Sequence, residues 1–230
     1  MAKQSDPPAV PADPTGAILQ FKIWLMGISP MIWRRVLVPA TFTVRQLHGV
    51  IQVAMGWEGI HLFQFRLRAV RYGSSEISAR SPEITLASLR LRQGARFGYD
   101  YDMNVPWRHE IRLEERVEPN PKHAYPSCVD GHGPAPPEDC GGIDGLLAGR
   151  RAWCSESGLD DMATIADFID KVALQERTEL LRNPAVVAEM KAVLERATRR
   201  QSQQGRPFSR KAVNARLKNG DHLDLMHQRY

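Results

Sequence analysis

Apolar and polar residues alternate from Leu19 onward. Leu19, Phe21, Ile23 and Leu25 fall on one side of the chain, and Gln20, Lys22, Trp24 and Met26 on the other. A period of two is that of a strand with one buried face. Gly27 to Pro30 reads as a turn. A second run, Ile32 to Val38, puts Ile32, Val36 and Val38 on one face, which Arg34 interrupts. Pro39 closes it, since proline has no N–H for a ladder. So short a connection predicts an antiparallel hairpin.

The period then becomes helical. Thr43 and Gln46 have capping-box spacing, and Phe42 and Leu47 stand where a hydrophobic staple would. Val44, Leu47, Val50, Ile51 and Ala54 form one stripe, and Gly56 is the natural stop. Phe63, Phe65, Leu67 and Ala69 next alternate with Gln64, Arg66 and Arg68, which is a strand again. Tyr72 to Glu83 is polar and loop-like, and Leu86, Leu89 and Leu91 suggest a helical turn. Strand patterns return at Phe97, Tyr99 and Tyr101 and at Trp107, His109, Ile111 and Leu113. This order predicts an α+β fold: a mixed or antiparallel sheet with a helix packed on one face, β-grasp-like, and a helical C-terminal extension.

The chain divides accordingly. Residues 1–17 hold Pro7, Pro8, Pro11 and Pro14 and too little apolar surface to order, so they read as a disordered leader. The core domain is expected over 18–118, a Pro/Gly-rich loop over 119–150 and a helical extension with a basic tail over 151–230. Within the extension, Asp160 to Ala173 is one expected helix. Asn183 caps another, with Pro184 in its first turn. Every charged residue from Arg196 to Lys218 is positive.

Composition changes this picture little. The net charge of +5 permits nucleic acid or an acidic partner without demanding either. Three cysteines, Cys128, Cys140 and Cys154, are too few and too odd in number for a disulfide framework. No stretch approaches the roughly 20 apolar residues of a membrane span, and no signal peptide is visible, so the cytoplasm is expected.

Four stretches together carry a resemblance. They are Gly27-Ile28-Ser29-Pro30-Met31-Ile32-Trp33-Arg34-Arg35-Val36; Leu47-His48 through Met55-Gly56-Trp57 with His61-Leu62-Phe63-Gln64-Phe65; Tyr99-Asp100-Tyr101-Asp102 with Trp107 and His109-Glu110-Ile111; and Tyr125-Pro126-Ser127-Cys128 with Pro136-Pro137-Glu138-Asp139-Cys140-Gly141-Gly142. The chain resembles the plasmid pRiA4b ORF-3-like family. That resemblance implies a passenger protein of plasmids, transposable elements and chromosomes, and it carries over no enzymatic activity. Asn104-Val105 replaces the Gly-Asp turn usual in the family.

Three groups of residues are candidates for chemistry. His123, Cys128, His132 and Cys140 could hold a structural zinc, although their spacing lacks a close Cys-x-x-Cys knuckle. The alternative is a structured loop with small buried thiols. His61, Asp102 and His109 could serve a metal-dependent enzyme, against a reading of His109 as a core-edge histidine. Arg34 and Arg35 could clamp a phosphate or carboxylate. The favoured reading is structural, with Arg34 paired to a carboxylate such as Asp100, Asp102 or Glu110.

Arg66, Arg68, Arg199, Arg200, Arg210 and Lys211 are candidate binding residues of a basic surface and tail. A solvated tail is the simpler meaning of such a run. The leading expectation is a non-catalytic binding or adaptor protein whose partner is a protein or nucleic acid. The first alternative is a nucleic-acid-binding accessory working through its basic C-terminal tail, and the second is the metal-dependent enzyme.

Overall fold

Seven strands form one sheet in the structure, a computed structural model that describes residues 16–227. They are β1 (Ile18–Leu25), β2 (Trp33–Pro39), β3 (Phe63–Leu67), β4 (Val70–Gly73), β5 (Arg96–Tyr101), β6 (Trp107–Val117) and β7 (Ser127–His132). Their order is β4-β3-β5-β6-β1-β2-β7, and every pairing is antiparallel. The α+β class is as expected. The sheet is antiparallel throughout rather than mixed, and this order lends the finer β-grasp likeness no support.

α1 (Val44–Met55) carries the chain from β2 to β3, across β1, β6 and β5. Its capping box is complete: Thr43 Oγ1 accepts from Gln46 N, and Gln46 Oε1 accepts from Thr43 N. Gly56 ends it in the left-handed conformation (φ 75°). Beneath α1 the inward residues of the strands form the core, among them Phe21, Ile23, Val36, Phe65, Tyr99 and Ile111. Burying these large side chains is the main stabilising term, at about 1.5–3 kcal/mol for each.

One apolar stripe does not describe α1. Ten of its residues, from Val44 to Met55 with only Arg45 and Gln46 omitted, are buried. A helix buried all round needs cover on its outer side. That cover comes from α5 (Arg210–Asn219) and α6 (Asp221–Asp224), which bring Val213, Leu217 and Leu225 into the same core. The expected basic tail is therefore a docked pair of helices over that span.

Four boundaries differ from expectation. The strand read through Ala69 ends at Leu67, the chain turns at Arg68 (φ 52°), and β4 takes Tyr72 out of the expected loop. Residues 1–15, most of the expected leader, lie outside the described residues. Ala17, also placed in the leader, is buried, and its carbonyl accepts from Ala40 N. The stretch 119–150, read as an irregular loop, holds β7 and most of α2 (Gly142–Trp153). β7 is too short for its alternation to stand out, and its order comes from pairing with β2. α2 starts at Gly141-Gly142, both at positive φ and without a side-chain cap, so no cap residue announces it. α3 (Glu156–Ile169) begins four residues before the expected start, because the Ser155 hydroxyl caps it. α4 (Pro184–Ser202) starts at the predicted Asn183 cap.

Candidate functional site

Arg34 finds no carboxylate. It is fully buried and donates to three backbone carbonyls, Ala54 (2.9 Å), Trp33 (2.8 Å) and His132 (2.9 Å), with its guanidinium 4.3 Å from the Phe208 ring centre. The expected pairing with Asp100, Asp102 or Glu110 is not made. Ala54 lies in the last turn of α1, where carbonyls lack helical partners, so this cation caps the helix. Burial lowers its pKa to about 10, which leaves it charged at neutral pH. Arg34 ties β2, β7, α1 and the Phe208 segment together, which is a structural role.

The histidine–aspartate cluster forms only in part. His61 Nε2 lies 2.7 Å from Asp139 and 4.0 Å from Asp102 at the surface. Asp102 is at positive φ (63°) and accepts from the amides of Asn104 and Val105, holding the turn. His109 does not join them. It is fully buried, bonded to Trp107 O, and touches the Trp57 and Tyr99 rings. Burial pushes its pKa down to about 4, so it is neutral in the core. The adjoining segment is anchored by both indoles: Trp57 donates to Pro136 O and Trp107 to Glu138 O. Glu138 accepts from Glu58 N and from the Tyr101 hydroxyl. These polar groups spend their hydrogen bonds on loop geometry.

The four candidate zinc ligands are not assembled. Cys128 and His132 stand at opposite ends of β7, separated by about 13 Å of extended chain. Cys128 is buried, and burial raises its thiol to about 11. His123 bonds Ser127, and Cys140 is turned to Gly142 O. Among the described residues no group of three or more His, Cys, Asp or Glu is arranged to hold a metal.

Much of the C-terminal basic run is structural. Arg196 and Arg200 both bind Asp161 on α3 and hold its carboxyl down to about 2. Arg210 donates to Val129 O, and Arg216 binds Asp221. Arg199 and Lys211 are exposed. Of the earlier candidates, Arg35 binds Glu114 and Asp130, Arg66 makes a two-point bond to Asp100, and Arg68 sits exposed at positive φ in the β3–β4 turn.

The sheet face opposite α1 carries a further group of cations. Strand register places Arg96, Arg112, Lys22 and Arg35 directly opposite one another across β5, β6, β1 and β2. The neighbouring row runs Arg71, Arg66, Gly98, Glu110, Trp24, Trp33, His132 from β4 to β7. Gly98 leaves room for the Arg66 guanidinium, which a Cβ would meet at 2.7 Å. Both indoles are half-buried and receive cations: Lys22 at 4.8 Å and Arg35 at 5.1 Å over Trp33, and Arg96 at 5.8 Å over Trp24.

The profile of the plasmid pRiA4b ORF-3-like protein family matches residues 17–168, which contain all seven strands, α1, α2 and nearly all of α3. The chain belongs to the plasmid pRiA4b ORF-3-like family. A relative from Sinorhizobium fredii, uncharacterized protein y4hQ, is 37% identical over 177 residues, 67% of this chain and 90% of that protein. The crystal structure of the protein of unknown function MM3350 from Methanosarcina mazei Go1 matches with a TM-score of 0.57 at 28% identity, over 61% of this chain and 83% of that one.

Within this pRiA4b ORF-3-like chain, both rows of the open face lie inside the matched segment. The residues that close the core from outside, Phe208, Asn214 and His222, lie beyond it. Sequence reasoning found Arg35 and Arg66 but missed Lys22, Arg96, Arg108 and Arg112. Each is the polar member of an alternating strand, and only strand order makes them neighbours.

Proposed function

We propose that this pRiA4b ORF-3-like protein is a non-catalytic binding module that presents the open face of its sheet to a macromolecular partner. The observation that carries this reading is charge left over on an uncovered surface. Asp100, Glu110, Glu114 and Asp130 pair with Arg66, Arg96 and Arg35, whereas Lys22, Arg71, Arg108 and Arg112 have no carboxylate within 4.0 Å among the described residues. The imidazoles of His48 and His109, by contrast, are sealed in the core, where burial holds them neutral at about 3 and about 4. An adaptor role in the biology of plasmids and transposable elements fits such a surface, and the cytoplasm fits such a partner.

A photo-reactive amino acid in place of Arg112, compared with one in place of Leu159 on the exposed side of α3, tests the reading in cells. A discrete adduct from position 112 and none from 159 is expected. Adducts from 159 alone, or from neither, would overturn it.

A further inference from the structure

We infer that the partner of the open sheet face is a single-stranded nucleic acid, its phosphates along the row Arg96–Arg112–Lys22–Arg35 and its bases on Trp24 and Trp33. This rests on the binding-module reading and names the ligand.

Like charges directly opposite across a ladder destabilise a sheet. Here four cations stand in register on four consecutive strands. Glu110 relieves Arg96 at one end, and Glu114 and Asp130 relieve Arg35 at the other. Arg112 and Lys22, in the middle, have no ion-pair partner among the described residues, though Lys22 lies near enough to Glu114 to help hold its carboxyl down. A repulsive row that the fold does not neutralise is a cost folding alone does not explain, and a polyanion removes it.

The geometry selects the kind of polyanion. Four strands at about 4.8 Å spacing make the cation row about 14 Å long, and the tryptophan row runs parallel to it about 7 Å away. A basic track beside a line of flat aromatic rings is the arrangement that binds single strands, since every base has a face to stack. An acidic peptide would use the cations but leave the indoles idle. A duplex hides its base faces, and this flat surface offers no helix or ribbon for the major groove. The cations now resting over Trp24 and Trp33 would shift to phosphates and uncover the rings. Exposed Arg71, at the β4 end of the tryptophan row, and exposed Arg108 beside it extend the positive field.

Fluorescence anisotropy of the full chain with labelled oligothymidylate and oligouridylate tests this. Binding should fall with salt, with a log–log slope of about −3 for four phosphates at ~0.7 per contact. Lys22→Glu with Arg112→Glu should weaken binding at least about tenfold, and Trp33→Ala at least about fivefold with loss of tryptophan quenching. Arg199→Glu with Lys211→Glu on the helical side should change it less than about twofold. Lys22→Gln with Arg112→Gln, which removes the repulsion, should fold at least as well as the parent and still lose binding. Absence of binding at low salt, or binding lost only with the helical-side pair, would overturn the inference. So would polyglutamate competing as well as the oligonucleotide. A protein adduct at position 112 without oligonucleotide binding would sink the nucleic-acid ligand while the binding module stands; no adduct there would sink both.

Discussion

The side-chain amide of Asn214 pairs with both backbone groups of Cys128: its Nδ2 donates to Cys128 O at 2.8 Å, and its Oδ1 accepts from Cys128 N at 2.7 Å. β7 is the last strand of the sheet, so its outer edge would otherwise present unpaired donors and acceptors. A side chain on α5 thus stands in for one residue of a missing neighbour strand. Asn214→Ala removes two hydrogen bonds and exposes that edge, and should cost about 1–3 kcal/mol. Urea denaturation measures the cost, and hydrogen exchange should rise first at Cys128. Unchanged stability would mean that α5 is held by Val213 and Leu217 alone.

Gly49 sets how closely the α6 segment can approach α1. A Cβ on residue 49 would stand 2.0 Å from His222 O and 3.1 Å from Met226 Cβ. In a free helix, alanine is favoured over glycine by about 1 kcal/mol. Here the clash is with backbone, so Gly49→Ala should be net destabilising by about 1–3 kcal/mol. Thermal melting should show a lower midpoint, and limited proteolysis should cut earlier within α6. A higher midpoint would contradict the close approach.

Arg34 should be less replaceable than an exposed arginine. Arg34→Ala leaves one buried and two partly buried carbonyls without their donor and Phe208 without its cation, a loss of about 3–5 kcal/mol. Arg34→Lys keeps charge but not the fork, and should recover less than half of that loss. Chemical denaturation of both variants checks the ranking. Equal stability of the lysine variant and the parent would show that charge alone suffices.

Stability should fall on mild acidification. Burial lowers His48 to about 3, His109 to about 4, and His222 in the same direction, against about 6.5 in the unfolded chain. The unfolded state therefore binds more protons below about pH 6.5. These residues contribute fully above that pH and lose stability as pH falls toward their folded values, by up to about 1.4 kcal/mol per pH unit each. Between pH 6.5 and 5 most carboxylates stay ionised, so the histidines dominate the slope. His109→Gln should reduce the slope of unfolding free energy by about one histidine's share. A slope unaltered by the substitution would place the acid sensitivity elsewhere.

Alternation and caps were enough to read β1, β2, α1, β5, β6 and the start of β3, though not the turn at Arg68 that makes β4 a separate strand. Each rests on local physics: a period of two or 3.6, a Thr43–Gln46 box, a terminal Gly56. α4 was legible at Asn183-Pro184 for the same reason. β7 and α2 were not, because a short edge strand and a helix opening on two glycines owe their order to contacts with β2 and with residues distant in the chain. The candidate sites divide similarly. Arg35 and Arg66 stand out as charges on strands, but Arg34's three carbonyl partners come from positions 33, 54 and 132, which no spacing connects.

The sequence by itself determined which residues of each strand face inward and where the first helix begins, since these depend on neighbours a few residues away. It also carried the family resemblance that the comparison upheld. Only the tertiary structure decided that α1 is covered on its outer side, that the basic C-terminus is largely docked, and that Lys22, Arg35, Arg96 and Arg112 form one row. Strand order and helix docking come from long-range burial, in which residues more than 70 positions apart share an ångström-scale surface, and local pattern does not encode that distance.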